Sequence, residues 1–277
     1  MRIRFWGVRG TVPTPGPDTV RFGGNTACID ILTADNHQII IDAGTGIRPL
    51  GRELMNGRRR RLQATILLSH THWDHIQGLP FFDPLLGRRN RFQLYGPRRT
   101  NINLREVLAH QFLEPYLPFA YSSLSADLQI REVLAGETIT LSEKTTVTFG
   151  EMRHPGGCLG FRINDGTATL AYCSDTSHHG EDLVPSVVEL ARNADLVVHD
   201  AHFRDLALAT AFEDWGHSCW HQAALVAQTA QVGSLALFHY APTLTDADIM
   251  DIETRVRREF GNTVAAFEGQ MIDLSRT

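Results

Sequence analysis

Short apolar runs separated by turn residues dominate the first part of the chain. Residues 2–7, 27–32, 38–44 and 64–70 are rich in Ile, Leu and Val, which predicts four strands. Between the last two, residues 45–57 predict a short helix closed by Gly57. The pattern then predicts a helical stretch at about 101–113 and five further strands at 128–133, 138–142, 145–153, 159–164 and 167–173.

The last third of the chain alternates helices and strands. Helical patterns at 184–194 and 218–233 precede strands at 195–201 and 234–240, and an amphipathic helix follows at 245–261. The two parts of the chain therefore resemble two similar halves. Two sheets stacked face to face with helices outside would bury both apolar faces of each sheet. We expect an α/β fold that forms a single domain over residues 1–277.

Composition and charge limit the range of possible functions. The chain is 43% hydrophobic and 21% charged, as in ordinary globular proteins, and its net charge of -5 argues against a general nucleic-acid-binding surface. The four arginines at 58–61 are either a solvated turn or a phosphate-steering patch. No apolar run approaches the length of a membrane span, and the N-terminus lacks a signal-peptide core. Four scattered cysteines suggest a reducing compartment, so we expect a cytoplasmic protein.

Chemically active side chains share one position in this pattern, because each follows the end of a predicted strand. Loops at one end of a rigid sheet are where binding sites are commonly built. The residues in this position are Asp42, His70, His154, Asp175, Asp200 and His239.

The densest cluster is the segment His70-Thr-His72-Trp-Asp74-His75. Crowded imidazoles and a carboxylate cost desolvation energy unless a cation satisfies them. In an extended turn the first two histidines would face one spot and the last two ligands a neighbouring spot, which predicts two metal ions. His154, Asp175 and His239 supply further ligands, with Asp175 as the natural bridge. Imidazole and carboxylate suit Zn, with Mn or Fe as alternatives.

Five further histidines are expected outside the set of ligands, either behind it or on the surface. They are His178, His179, His199, His202 and His221.

These motifs, in this order, resemble the metallo-β-lactamase superfamily, whose signature is H-x-H-x-D-H. The resemblance implies the αββα four-layer sandwich and a dinuclear metal-dependent hydrolase that uses a metal-bridging hydroxide. Asp42 would brace the cluster loop. The implied ligands of one metal are His70, His72, His154 and Asp175, and those of the other are Asp74, His75, Asp175 and His239.

The stretch 197–242 is similar to the RNase Z-like phosphodiesterase branch, where an acidic residue and a "GHS" histidine precede the last ligand. This resemblance implies that His217 protonates the leaving oxygen or stabilises charge on the phosphoryl group, oriented by Asp200, while Asp74 orients or deprotonates the water. The plainer alternative makes His217 the residue before a helix N-cap at Ser218. The glycine-rich opening at 5–31 resembles the same branch, and its backbone N–H groups could approach a phosphate.

The chain departs from tRNA-processing RNase Z in lacking a long tRNA-binding arm, since only 20 residues separate His154 from Asp175. The missing arm and the acidic charge argue against a structured nucleic acid. We therefore expect a small phosphodiester substrate such as a cyclic nucleotide. The alternatives are a thioesterase or lactonase like glyoxalase II, a tRNA 3′-processing endonuclease, a redox di-iron centre, or a metal-dependent binding protein. The insert 80–125 either covers the substrate, forms a homodimer contact, or packs on the core.

Overall fold

The computed structural model describes residues 1–56 and 61–274, and within them the chain forms two seven-stranded sheets. The first sheet, in the order β14-β1-β2-β3-β4-β5-β6, contains β1 (Arg2–Gly7), β2 (Cys28–Leu32), β3 (Gln38–Ile41), β4 (Gln63–Leu67), β5 (Arg91–Pro97), β6 (Asp127–Val133) and β14 (Met271–Asp273). The second, in the order β13-β12-β11-β10-β9-β8-β7, contains β7 (Thr138–Thr140), β8 (Thr146–Met152), β9 (Cys158–Asn164), β10 (Thr169–Cys173), β11 (Leu196–Asp200), β12 (Leu235–Phe238) and β13 (Thr263–Ala265).

Both sheets change from antiparallel to parallel pairing along their width. In the first sheet β1, β2 and β3 pair antiparallel, and β3 to β6 pair parallel. In the second sheet β7 to β10 pair antiparallel, and β10 to β13 pair parallel. The prediction of two similar halves is therefore confirmed. Parallel strands end at a common edge, so the loops that follow them come together there.

The alternation of side chains along β3 shows how the layers stack. Ile39 and Ile41 belong to the core between the sheets, where the rings of Phe5 and Phe238 meet with centroids 6.0 Å apart. Ile40 points to the opposite face and packs under the outer helices. Each sheet thus buries one face against the other sheet and one against helices. The αββα sandwich is confirmed.

The helices cover the outer faces, and the predicted ones are all present, although shorter at their ends. α1 (Ile47–Asn56) and α3 (Leu104–His110) cover the first sheet. α4 (Pro185–Ala191), α6 (Trp220–Thr229) and α7 (Asp246–Glu259) cover the second. Two short helices were not predicted, α2 (Trp73–Ile76) and α5 (Leu206–Ala211). Among the described residues, no helix has the length and apolarity needed to span a membrane.

The insert 80–125 contributes one strand to the first sheet. It supplies β5, which lies between β4 and β6, and its side chains Phe82, Leu85, Phe92 and Leu94 are buried. Packing on the core was therefore the right alternative for this part. Tyr116 remains 74% exposed, and the predicted cover or homodimer contact stays a prediction for that loop. Of the arginine run, residues 58–60 and the predicted helix end at Gly57 lie outside the described residues.

Candidate metal centre

The predicted site residues follow strand ends at one edge of the two sheets. They are Asp42 after β3, His70 after β4, His154 after β8, Asp175 after β10, Asp200 at the end of β11 and His239 after β12. Asp42, Asp175 and His239 have φ angles of 59°, 57° and 61°. This left-handed region is uncommon for residues other than glycine and persists where surrounding contacts enforce it. The backbone therefore turns sharply at three of the predicted site residues.

The segment that carries the densest cluster is extended only as far as His72. Residues Trp73–Ile76 form the short helix α2, with His72 as its N-cap residue, so the prediction of an extended turn throughout was wrong. The helical turn buries Asp74 and His75 all the same. The two pairs of ligands still serve two neighbouring positions, as expected.

The first group consists of His70, His72 and His154, whose ligand atoms all lie within 4.8 Å of one another. Nε2 of His154 lies 3.0 Å from Nδ1 of His72. His154 Nδ1–H donates to the Gly216 carbonyl over 2.9 Å, which leaves its Nε2 with a lone pair. Within the described part of the chain, Nε2 of buried His70 has no hydrogen-bond partner.

The second group consists of Asp74, His75 and His239 and is fully buried. Nε2 of His239 lies 3.1 Å from Nε2 of His75 and 3.1 Å from Oδ2 of Asp74. His75 directs Nδ1 to Asp42 Oδ2 at 2.8 Å, so its Nε2 faces the group with a lone pair. Asp42 also accepts hydrogen bonds from the Ser69 backbone N–H and the Tyr172 hydroxyl. Asp42 thus holds the cluster loop in place, as the resemblance implied.

Asp175 lies between the two groups. Its Oδ1 is 3.9 Å from His70 Nε2 and 3.3 Å from His239 Nε2, and its Oδ2 is 3.4 Å from His75 Nε2. One carboxylate therefore reaches both groups. This is the position that a bridging ligand requires.

The residues fit a pair of divalent cations. Lone pairs of imidazole nitrogens and carboxylate oxygens converge within hydrogen-bond distance, and buried acceptors in such an arrangement need a cation between them. The unpartnered His70 Nε2 is the clearest sign of this need. Nitrogen and oxygen donors without a thiolate suit zinc, manganese or iron. The structure thus brings together all seven predicted ligands, and their binding of metal stays a prediction.

Electrostatics favour the metal-binding forms of the first group and of Asp74, whereas for His75 and His239 burial is outweighed by Asp175 and Asp74, which raise the pKa of both imidazoles. Burial, with the neighbouring imidazoles, lowers the pKa of His70 well below its ordinary value and also lowers the pKa of His72 and His154. Burial opposes ionisation of Asp74, but the nearby histidines outweigh it and lower the pKa of this carboxyl. Neutral imidazoles and ionised carboxylates are the species that coordinate divalent ions.

His217 lies beside this centre and is oriented as predicted. Its Nδ1–H donates to Asp200 Oδ2 over 2.8 Å, and the same nitrogen is 4.0 Å from Asp175 Oδ1. The alternative role beside an N-cap at Ser218 is wrong, because the N-cap of α6 is Cys219 and the Ser218 hydroxyl donates to the Thr176 carbonyl. Asp200 also accepts the backbone N–H groups of Asp175 and Ser218.

His202 lies closer to the centre than the sequence indicated. Its ring stacks on His217 with centroids 4.2 Å apart and planes 15° apart, and burial lowers its pKa to about 3. His178 and His199 form a second buried stacked pair, whereas His179 and His221 pair with glutamates at the surface. The position of His202 in the sequence gave no sign of this contact, because the contact with His217 forms only through the folding of the loop after β11.

The glycine-rich opening contacts the centre through protein acceptors. The Thr11 backbone N–H donates to Asp74 Oδ2 over 2.7 Å, and the N–H groups of Val8, Arg9 and Gly10 donate to backbone carbonyls. These four N–H groups are therefore already hydrogen-bonded within the protein, and the approach of other N–H groups of the opening to a phosphate stays a prediction. Gly10 instead permits close packing, since a Cβ there would lie 2.4 Å from the His239 ring.

An open cleft of about 700 Å³ gives access to both groups. It is lined by Thr11, Thr71, His72, Trp73, Asp74, His154, Pro155, Asp175, His202, Asp214, Trp215 and His217. This volume lies in the range of small-molecule sites. The sequence did not single out Thr11, Trp73 or Trp215; a clue to the two tryptophans is that each lies within two residues of a predicted site residue.

Comparison with known proteins gives consistent matches. Residues 37–240 match the model of the Beta-lactamase superfamily domain. Among curated proteins, the chain is 26% identical to Ribonuclease Z of Archaeoglobus fulgidus, covering 99% of this chain and 98% of that protein. It is 24% identical to Ribonuclease Z of Thermoplasma acidophilum, covering 95% and 93%.

Solved structures share the fold over nearly the full length. The metallo-beta-lactamase fold protein YhfI of Bacillus subtilis superposes with a TM-score of 0.73 at 20% identity, covering 98% of each chain. Human tRNase Z, short form, superposes with a TM-score of 0.70 at 19% identity, covering 99% of each.

Proposed function

Since the chain belongs to the metallo-β-lactamase superfamily, in its RNase Z-like branch, and is a metal-dependent hydrolase, we propose that it hydrolyses a small phosphodiester such as a cyclic nucleotide. The observation that carries this proposal is the pair His217–Asp200 at 2.8 Å, placed beside Asp175 at the cleft. An imidazole held by a carboxylate can transfer a proton to a leaving alkoxide. A phosphodiester with an alkoxide leaving group needs this proton, whereas a good leaving group departs without it.

Each residue has a proposed part in the reaction. His70, His72, His154, Asp74, His75, Asp175 and His239 would hold two divalent ions. When bound, such ions lower the pKa of a water toward neutrality and neutralise charge on a phosphoryl group. Asp74 would orient the attacking water from its place in the cleft wall. Nε2 is the atom from which His217 would pass a proton to the leaving oxygen, because its Nδ1–H is donated to Asp200.

Three observations support a small substrate. Between His154 and Asp175 the chain forms only the hairpin of β9 and β10, with no protruding arm. The alignment with the Archaeoglobus relative spans 326 positions, and this chain has 277 residues, so at least 49 positions of the relative lack a counterpart. The net charge is -5, which opposes binding of a long polyanion.

The second candidate is processing of tRNA 3′ ends. It is favoured by the names of the curated relatives, which are Ribonuclease Z proteins matched over nearly their whole length. The same metal centre and the same His217–Asp200 pair would cleave either phosphodiester, so the two candidates differ in substrate and not in chemistry.

The test combines metal analysis with an assay panel. The purified protein should contain about two divalent ions per chain and hydrolyse bis(p-nitrophenyl) phosphate and cyclic nucleotides, with little cleavage of a tRNA precursor. His217→Ala should reduce cleavage of cyclic nucleotides about 10²- to 10⁴-fold and should reduce hydrolysis of bis(p-nitrophenyl) phosphate much less, because p-nitrophenolate leaves without a proton. His221→Ala is the matched control, because that histidine pairs with Glu259 and Glu181 away from the cleft.

Two outcomes would overturn parts of the proposal. If the metal-loaded protein leaves every diester intact but opens thioesters or lactones, the assignment to phosphodiesters is wrong. If it cleaves a tRNA precursor faster than any small diester, the second candidate replaces the first.

A further inference from the structure

Two large aromatic side chains at the cleft are left in contact with solvent. Trp73 is 65% exposed and Trp215 is 58% exposed, and both line the cleft that reaches His72, Asp175 and His217. Tryptophan usually buries most of its large apolar area. Two exposed indoles in one cleft therefore indicate a bound partner with an apolar, planar surface.

The two tryptophans come from different halves, and the residue next to each contacts the same ligand residue, His154. Trp73 follows His72 directly, and Trp215 precedes Gly216 directly. His72 and Gly216 both contact His154, at 3.0 Å and 2.9 Å. The indoles therefore lie beside the metal centre, one carried by each half of the fold.

The indole of Trp215 is held in place before any ligand binds. Phe212 supports its ring at a centroid distance of 4.8 Å, and Phe203 lies 6.3 Å away. Its loop is fixed by Glu213, which accepts from Arg153 at 2.7 Å and from His179 at 2.8 Å. A rigid aromatic face loses little conformational entropy on binding.

The chemistry of the cleft limits which kinds of molecule can bind there. Its lining contains no lysine or arginine within the described residues, and it contains the carboxylate Asp214. A chain of phosphates would find no basic contact here, whereas one phosphoryl group could sit on the metal centre with a planar group beside it. A nucleobase presents such a planar π face, and stacking on an indole tolerates any base.

Resting on the proposed function, we propose that Trp73 and Trp215 form a base-stacking subsite, so that the substrate is a nucleotide phosphodiester. Their role is to hold the nucleoside while its phosphorus lies at the metal centre. The indoles are thus specificity-determining residues and take no part in proton transfer.

Two diesters that differ only in the nucleoside isolate this subsite. Thymidine 5′-(p-nitrophenyl phosphate) carries a base, and methyl p-nitrophenyl phosphate does not. The native protein should prefer the thymidine ester in kcat/KM, and Trp73→Leu or Trp215→Leu should raise its KM roughly 5- to 150-fold with little change in kcat. Trp215→Phe should restore much of the preference. Phe267→Leu, an exposed aromatic outside this cleft, should keep it.

A binding measurement separates this inference from the proposed function. Adenosine 5′-monophosphate should quench the tryptophan fluorescence of the native protein, ribose 5-phosphate should not, and the Trp215→Leu variant should show less quenching. Equal kcat/KM for both diesters, unchanged by the tryptophan substitutions, would overturn the subsite while leaving the phosphodiesterase intact. If neither diester is cleaved, the proposed function fails, and the fluorescence result alone decides whether the subsite exists.

Discussion

At the scale of single residues, the centre is built on strained backbone. Thr11, Asp42, Asp175 and His239 all have φ between 57° and 68°. For a β-branched threonine this is a genuine outlier. Thr11 is held there by its backbone hydrogen bond to Asp74 and by the packing of Gly10 against His239. Such conformations cost free energy and occur where the surrounding structure over-determines them, as at functional sites.

The types of ligand and their order along the chain could be predicted, because both can be read directly from the sequence. Metal ligands are few in kind, and the six-residue cluster around His72 is too crowded to be accidental. The parts that escaped prediction depend on contacts between distant segments. His202 stacks on His217, and Thr11 reaches Asp74 across 63 residues of sequence. No local pattern records such contacts.

The role of Asp200 can be tested by the leaving group. Asp200→Asn keeps the shape of the side chain but replaces the carboxylate that accepts the Nδ1–H of His217 with a neutral amide. We expect kcat to fall about 10²-fold or more for a diester with an alkoxide leaving group, and much less for one that releases p-nitrophenolate. Rates for the two substrates in the native protein and the variant provide the measurement. An equal loss for both would show that Asp200 only supports the loop.

At the scale of elements, strands were predicted best and the insert worst. β3 and β10 are continuous apolar runs buried on both faces, which is a strong signal. β5 lay within an arginine- and proline-rich segment that favoured a loop. Its alternation of buried Phe92 and Leu94 with exposed Arg91 and Gln93 was the available clue. α2 could not be predicted, because a helix of one turn is too short to show helical periodicity.

Gly10 of the opening loop packs against His239, which follows β12. This contact predicts that one added methyl group has a strong effect on metal affinity. Gly10→Ala would place a Cβ 2.4 Å from the His239 ring, so the ring or the loop must move. We expect metal affinity to fall about 10- to 100-fold, the size found when groups that position ligands are disturbed. A competition titration with a chelator measures this change.

Gly16→Ala is the matched control for that substitution. It lies in the same loop, where the nearest atom to a new Cβ is 4.0 Å away. Comparable losses in both variants would mean that the loop as a whole, and not its contact with His239, sets the affinity.

The buried pair His178 and His199 predicts a pH dependence of stability. Burial, with the neighbouring His199, lowers the pKa of His178 from 6.5 to about 3, so the unfolded chain binds more protons below pH 6.5 than the native one. Stability from this group is complete above pH 6.5 and is lost as the pH falls. Between pH 7.5 and 5.5 the loss should be about 1.4 kcal/mol.

Urea unfolding at these two pH values tests the assignment. His178→Gln cannot titrate in this range, so its free energy of unfolding should fall by about 1.4 kcal/mol less than that of the native protein. An identical pH dependence in both proteins would show that His178 is not held neutral. His221→Gln, at the surface, serves as the control.

At the scale of the whole molecule, the centre joins the two halves. The first half supplies His70, His72, Asp74 and His75, and the second supplies His154, Asp175 and His239. Each half alone offers too few ligands for two ions. A cation bound there would therefore stabilise the packing of one sheet on the other, because it binds the native arrangement and not the unfolded chain.

Removal of metal should consequently lower the melting temperature. At a free metal concentration of about 100 times Kd, binding adds about 2.7 kcal/mol for one site, which for a chain of this size corresponds to roughly 5 °C. Calorimetry of the metal-loaded and chelator-treated protein measures the shift. Asp175→Asn should shrink it more than Asp42→Asn does, because Asp175 reaches both groups whereas Asp42 contacts only His75 among the ligands. A full shift in the Asp175→Asn variant would mean that the two halves are joined by separate ions without a shared carboxylate.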